Sequence, residues 1–271
     1  MRGTAPQIHL SELWDFLDGT GEDYLTVPHH TGRSGKCRSF GDSLYEPGRE
    51  PVFEIYSLWG SSEIRWSRFP IHGGNVDGTC YFQDALRAGC RYGVIASSDD
   101  HTTLPGGESR ESRPAGPLWL SSYIHHGLAA VRAPELSRSA LWTAPRERRC
   151  YATTFGRTLV DVQIGDRSMG QETRVGAGDP LRRSREVHVR ALSAAARWLD
   201  IVLLRNCEEI ARARWTPDRS EVVFRDDHPL EALAVRDAPF HPEPIVVYYV
   251  RVDSQLDQTQ WSSPIWLDLP T

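Results

Sequence analysis

Gly93-Val94-Ile95-Ala96-Ser97-Ser98-Asp99-Asp100-His101-Thr102 is the stretch on which the reading of this chain turns. A short apolar run of β character ends in two serines and hands an Asp-x-His pair to a loop, where a buried strand would emerge. In α/β folds such strand ends carry the chemistry. Alternate residues of an extended segment point the same way, so Asp99 and His101 can converge on one ion. A carboxylate and an imidazole together suit a borderline divalent metal. By itself Ser-Asp-Asp is ordinary turn chemistry, and the surrounding chain has to decide between the two readings.

The chain has 271 residues, 39% hydrophobic and 25% charged, which is an ordinary balance for a globular protein of one large or two medium domains. A net charge of −5 argues against a nucleic-acid partner, which would ask for a basic face. Lys36 is the only lysine. The cysteines, Cys37, Cys80, Cys90, Cys150 and Cys207, are odd in number, widely spaced and without a Cys-x-x-Cys. They read as buried small hydrophobes rather than a disulfide framework or a thiolate zinc site. Neither a secretory h-region nor a run of membrane-spanning length occurs. The expectation is a cytoplasmic protein with no membrane partner, or a periplasmic or secreted one if translation starts upstream.

Working outward, Ser11–Leu17 predicts a short amphipathic helix with Ser11 as N-cap and Gly19 near its end. Tyr24–Val27 predicts a strand that delivers Pro28-His29-His30 to a loop. The irregular stretch 31–51 is long for a compact domain unless it covers a site. Val52–Tyr56 predicts the next strand, its apolar pattern interrupted by Glu54. A second irregular stretch runs over 59–77, Tyr81–Gly89 predicts a helix, Tyr92–Ala96 the central strand and Gly127–Val131 a further one. Ser137–Arg149 predicts a helix that Pro145 kinks or ends. This alternation implies parallel β-α units. From about Arg157 the pattern changes to short strands between turns, at Val187–Arg190, Ile201–Leu204, Glu221–Phe224 and Ile245–Val252, which suggests a β-sandwich. The expected division is therefore 1–156 and 157–271.

Three strand ends thus carry polar residues: His29 and His30, Glu54, and Asp99 with His101. Gathered on one face they would supply the three or so protein ligands that a catalytic metal needs beside an open position. Other polar clusters have plainer readings. His125-His126 reads as a solvated loop pair, His72 as part of a turn, and Trp261, Trp266, Tyr248 and Tyr249 as sandwich core.

Val27-Pro28-His29-His30-Thr31, Glu54-Ile55-Tyr56-Ser57 with Gly60-Ser61-Ser62-Glu63, and Ala96-Ser97-Ser98-Asp99-Asp100-His101 resemble a bacterial branch of the PHP superfamily, named for polymerase and histidinol phosphatase. Leu128–Val131, Arg146–Thr154, Tyr249–Val252 and Trp261–Trp266 also look like it, so the similarity spans nearly the whole chain. The resemblance implies an α/β fold, a distorted TIM-like barrel that binds divalent metal ions and hydrolyses phosphoesters, followed here by an all-β sandwich-like domain. It further implies that His29, Asp99 and His101 ligate the metal (zinc, manganese or iron). His30 is adjacent to His29 and exchangeable with it, and is the candidate for proton transfer or leaving-group contact. Glu54 matches a family position at which it orients a neighbour or closes a buried ion pair. Arg110 and Arg113 are candidates to grip a substrate phosphate, with a solvated charged loop as the alternative.

The pattern departs from the family at its start: no His-x-His pair precedes His29. The chain therefore resembles the second half of a PHP barrel, and four strand–helix units do not close one. The open sheet would leave apolar residues facing water unless a missing N-terminal half or a second chain covers them. The expected function is a metal-dependent, phosphoesterase-like hydrolase, truncated or one part of a split enzyme, acting on a small phosphorylated substrate. The alternative is a non-catalytic truncated homologue or an assembly or binding subunit.

Overall fold

The computed structural model describes residues 9–41, 44–75, 78–99 and 126–270. Helix α1 (Leu10–Asp18) ends at Gly19 and buries Trp14 against the remainder of the fold. Its first turn is closed by Glu12, whose carboxylate accepts from the His9 N–H at 3.2 Å, so the cap lies two residues before the expected Ser11. The expected strand at Tyr24–Val27 joins no sheet among the described residues. The Thr26 N–H instead donates to the Arg49 carbonyl at 2.8 Å.

Strands β1 (Val52–Ser57) and β2 (Gly60–Ser61) form a tight antiparallel pair, and helix α2 (Phe82–Arg87) connects them to β3 (Gly93–Ala96), which lies parallel to β1. After the undescribed residues 100–125 come β4 (Leu128–Val131), helix α3 (Arg138–Arg146) and β5 (Cys150–Thr153). Ser137 caps α3 by accepting from the Ala140 N–H at 3.2 Å, and Pro145 sits in its last turn. The rest is almost entirely β: β6 (Leu159–Ile164), β7 (Arg167–Ser168), β8 (Glu172–Arg174), β9 (Arg185–Leu192), β10 (Leu199–Arg205), β11 (Glu208–Trp215), β12 (Glu221–Asp226), the single turn of helix α4 (Leu230–Leu233), β13 (Ile245–Ser254), β14 (Thr259–Ser262) and β15 (Ile265–Asp268).

These strands form three sheets, and the long β13 explains how they stack. The largest runs β11-β10-β13-β14-β5-β4, with β15 beside β13 and β8 beside β15; a second runs β12-β9-β6-β7; the third is β2-β1-β3. Side chains alternate across a strand. On one face of β13, Val246, Tyr248, Val250 and Val252 join Val187, Val189, Val162 and Phe224 of the four-stranded sheet. On the other, Ile245, Val247 and Tyr249 join Phe53, Ile55, Phe82 and Val94 of the N-terminal region. Strand β10 divides in the same way, Ile201 and Leu203 on one side, Val202 and Leu204 on the other. The large sheet is therefore a middle layer with a core on each face, which is why Ile245–Val252 reads as an unbroken apolar run. Each large apolar side chain buried at these seams contributes about 1.5–3 kcal/mol.

The TIM-like barrel that the sequence implied is not formed. The described residues are 35% strand and 13% helix, and no barrel closes among them. Among the described residues, segments 31–51 and 59–77 supply no long helix, β1–α2–β3 is the strand–helix–strand unit of the N-terminal region, and its three-stranded sheet stays open. The physical need for closure is met differently. All six residues of β1 are buried because the sheet packs on the far face of β10 and β13. Burial on a neighbouring layer thus replaces burial inside a closed cylinder.

A polar seam runs through that contact. Glu63, fully buried, accepts from the Tyr249 hydroxyl at 2.9 Å and pairs with Arg251 Nη1 at 3.2 and 3.3 Å, while Gln83 Nε2 donates to the Tyr249 oxygen at 2.8 Å. The cysteines also differ from expectation. Cys37 and Cys80 form a disulfide with their Cα atoms 5.4 Å apart, tying the first irregular stretch to the start of α2. The other three are buried thiols, and burial pushes Cys150 and Cys207 up to about 12. Among the described residues no helix is long and apolar enough to cross a membrane.

Candidate metal centre

The site forms where the extended segment after Val27 meets the exits of β1 and β3. The Pro28 carbonyl accepts from the Glu54 N–H at 3.2 Å, which sets His29 and His30 beside β1 without a full ladder. The β1–β3 register slips between Glu54 and Tyr56, and such a bulge re-aims side chains beside functional sites. Glu54 is 5% exposed within an otherwise apolar strand, so its carboxylate needs partners. It has them: His29 Nδ1 lies 2.8 Å from Oε1, the His30 N–H donates to the same oxygen at 3.2 Å, and the Ser97 hydroxyl donates to Oε2.

Nδ1 of His29 is thereby committed to Glu54, and Nε2 faces Asp99 Oδ2 at 3.6 Å. That separation exceeds a hydrogen bond. It matches two ligands that share one ion, since bonds of about 2.1 Å at a tetrahedral angle set nitrogen and oxygen about 3.4 Å apart. One ligand atom from each of His29, His30 and Asp99 lies within 4.8 Å of the others. The two imidazoles lie against each other, ring centres 3.7 Å apart and planes tilted by 35°. His30 and Asp99 both adopt left-handed backbone, φ +35° and +48°, a conformation that non-glycine residues hold at a cost and that clusters at functional sites.

The two histidines titrate in opposite directions. The hydrogen bond to Glu54 raises the proton affinity of His29 against the opposing effect of burial, and the Glu54 and Asp99 charges add to it. Burial lowers that of His30, and the neighbouring His29 lowers it further. His30 Nδ1 is shielded from water and has no hydrogen-bond partner among the described residues. A buried ring nitrogen of this kind requires a partner, and a divalent ion supplies one. The donor set, two imidazoles and a carboxylate with a carboxylate behind one imidazole, fits zinc, manganese or iron.

Of the residues singled out in the sequence, His29, His30 and Asp99 are therefore brought together, with Glu54 orienting His29. His101, Arg110, Arg113 and His125 lie outside the described residues. His126, expected in a solvated loop, is 8% exposed, at the entrance to β4. Tyr248, Tyr249, Trp261 and Trp266 are buried in the two cores. Ser97 was not singled out: one serine among several in a turn gives no signal until the Glu54 carboxylate is found opposite it.

No family model matches the chain. It is similar to three chlamydial proteins, each described as an uncharacterized protein. The identity is 30% over 272 residues to one from Chlamydia trachomatis serovar D (96% of this chain, 40% of the relative). It is 28% over 270 residues to one from Chlamydia muridarum (96% and 40%) and 30% over 256 residues to one from Chlamydia pneumoniae (91% and 38%). Among solved structures, a crystal structure of an engineered protein aligns with 42% of this chain and 20% of its own at 6% identity. The TM-score is 0.25. The chain thus spans about two fifths of the length of the curated relatives it matches.

Proposed function

We propose that this chain contributes a divalent-metal centre to a metal-dependent hydrolase acting on phosphoesters. The observation that carries the reading is the His29–Asp99 arrangement: a nitrogen and an oxygen 3.6 Å apart, with the far side of the imidazole held by buried Glu54 at 2.8 Å. This is the carboxylate–histidine arrangement that fixes tautomer and ring orientation at metal sites and raises ligand basicity. His29, His30 and Asp99 would hold the ion. A bound ion supplies Lewis acidity towards a phosphoryl oxygen and towards water. Glu54 keeps the proton of His29 on Nδ1 and so leaves the Nε2 lone pair free. His30 and Asp99 hold left-handed backbone where their segments enter the site.

Metal titration of the chelator-stripped protein tests this directly. Zinc or manganese is expected to bind, and His29→Ala and Asp99→Ala are each expected to weaken binding by about 100-fold or more while the fold survives. Failure of the wild-type protein to bind either ion, or binding unchanged in both variants, would overturn the reading in favour of a non-catalytic assembly subunit.

A further inference from the structure

The proposed ligands are followed at once by Thr31-Gly32-Arg33-Ser34-Gly35-Lys36, and this loop is held from several sides. The Arg33 N–H donates to the His30 carbonyl at 3.1 Å and the Lys36 N–H to the Arg33 carbonyl at 3.0 Å, so two successive turns lead out of the site. The first keeps the Cα of Arg33 within about 7 Å of that of His30. Ser34 donates to the Gly73 carbonyl and Asn75 to the Gly32 carbonyl, both at 2.7 Å, and the Cys37–Cys80 disulfide closes the loop one residue beyond Lys36.

Arg33 is also held from the opposite side. Its guanidinium carbon lies 3.5 Å from the centre of the Trp59 ring. Trp59 belongs to the exit of the same strand that carries Glu54: its carbonyl accepts from the His72 N–H at 2.7 Å, and the preceding Leu58 N–H reaches the carbonyl of Ser98, the neighbour of Asp99. Stacking covers one face of the guanidinium and leaves its N–H donors in the plane. Nearby Arg38 spends its charge on Glu50 at 2.7 Å, and Arg251 on Glu63. Neither Arg33 nor Lys36 is paired with a carboxylate among the described residues. Both cations lie on the loop that leaves the candidate metal ligands, Arg33 half-buried and preorganised by the indole, Lys36 exposed.

We infer that Arg33, stacked on Trp59, and Lys36 form the subsite for the terminal phosphoryl group of a phosphate monoester beside His29, His30 and Asp99. The inference rests on the phosphoester reading of the site and narrows it. A guanidinium fork matches two phosphate oxygens, an ammonium adds a second point charge, and two cations answer a dianion rather than the single charge of a diester.

Binding of inorganic phosphate to the chelator-stripped protein, followed by calorimetry at up to about 10 mM ligand, tests it. Arg33→Gln is expected to weaken binding about 10-fold or more, because a charge-assisted bidentate contact is lost. Arg33→Lys, which keeps the charge and loses the fork, should fall between the two. Dimethyl phosphate, a diester mimic, should bind more weakly than phosphate. No phosphate binding by the wild type, equal binding by Arg33→Gln, or dimethyl phosphate bound as tightly as phosphate overturns the inference. Failure of the metal reading looks different: zinc and manganese fail to bind while phosphate binding still depends on Arg33.

Discussion

Replacing Glu54 with glutamine removes one charge and almost no volume, so it isolates what the buried carboxylate does for His29. In the native site its two oxygens serve three donors: His29 Nδ1 at 2.8 Å, the His30 N–H at 3.2 Å and the Ser97 hydroxyl. A glutamine oxygen can keep the first two, but its NH2 then faces Ser97 and the negative charge behind the imidazole is gone. His29 Nε2 becomes a weaker donor to metal, and the tautomer is no longer enforced. Losses of supporting contacts of this kind weaken metal affinity about 10- to 100-fold, which is about 1.4–2.7 kcal/mol. Glu54→Ala loses orientation as well and should lie at or beyond the upper end. Competition between the protein and a chromophoric chelator for zinc measures the change, and thermal melts of the metal-free variants check that the fold survives. A Glu54→Gln protein that is folded and binds zinc within about 3-fold of wild type refutes the argument that Glu54 sets the ligand.

Other residues give sharper tests of the fold. Glu63→Gln breaks the seam between the N-terminal layer and β13, leaving Arg251 with Asp253 at 3.3 Å as a partial substitute. Urea unfolding should show a loss of about 3 kcal/mol, the lower end for a broken buried pair. Asp226 is buried, which alone would raise its carboxyl, but hydrogen bonds from Arg205, Tyr248 and His228 hold it well below the usual carboxylate range. A depressed carboxyl stabilises the fold above its unfolded pKa, and this stability drains away as pH falls through the folded value. Wild-type stability should therefore drop steeply below about pH 5, and Asp226→Asn, less stable at neutral pH by about 3–5 kcal/mol, should show a flatter profile there. A profile as steep as wild type would remove Asp226 from the account. Cys37→Ser opens a loop of 43 residues, and loop entropy sets an upper limit of about 4 kcal/mol on the loss; the melting temperature of wild type should fall similarly on reduction, and an unchanged one shows that the bond adds nothing.

Local elements were largely legible in the sequence, and their assembly was not. The residues of β3, β10 and β13 announce themselves as apolar runs, β9 and β12 as shorter strand patterns buried on one face, and α2 and α3 carry recognisable starts or stops. The same runs, however, suit a parallel barrel strand and a strand in a middle layer alike, because both are buried on two faces. Resemblance then tipped the N-terminal half towards a barrel that β1, β2 and β3 do not close. Strand β11, with charges at Glu208, Glu209, Arg212 and Arg214, lacks an apolar run and passes unnoticed until β10 is seen beside it. The cysteine pair was equally silent, since a separation of 43 residues says nothing about spatial approach. At the site the signals were better. A glutamate inside an apolar strand, two histidines after a proline and an aspartate at a strand exit are each out of place locally, and they meet. Arg33 escaped notice because its distinction is the indole beneath it, 26 residues further along the chain.

The double-sided burial of β13 also bears on when the protein can fold as it is made. Phe53, Ile55, Phe82 and Val94 are synthesised early, but the surface that covers them includes Val247, Tyr249 and Trp261. At ribosomal speeds of about 5–20 residues per second, the N-terminal layer waits roughly 10–30 s for its partner strand to emerge. Throughout that interval it presents an uncovered apolar sheet, and the candidate metal ligands that hang from its strand ends have no fixed frame. Nascent chains stalled before residue 245 should therefore engage holdase chaperones and remain open to protease, whereas chains released after residue 270 should not. The centre would then be assembled among the last events of folding, although every residue proposed to hold the ion has left the ribosome long before.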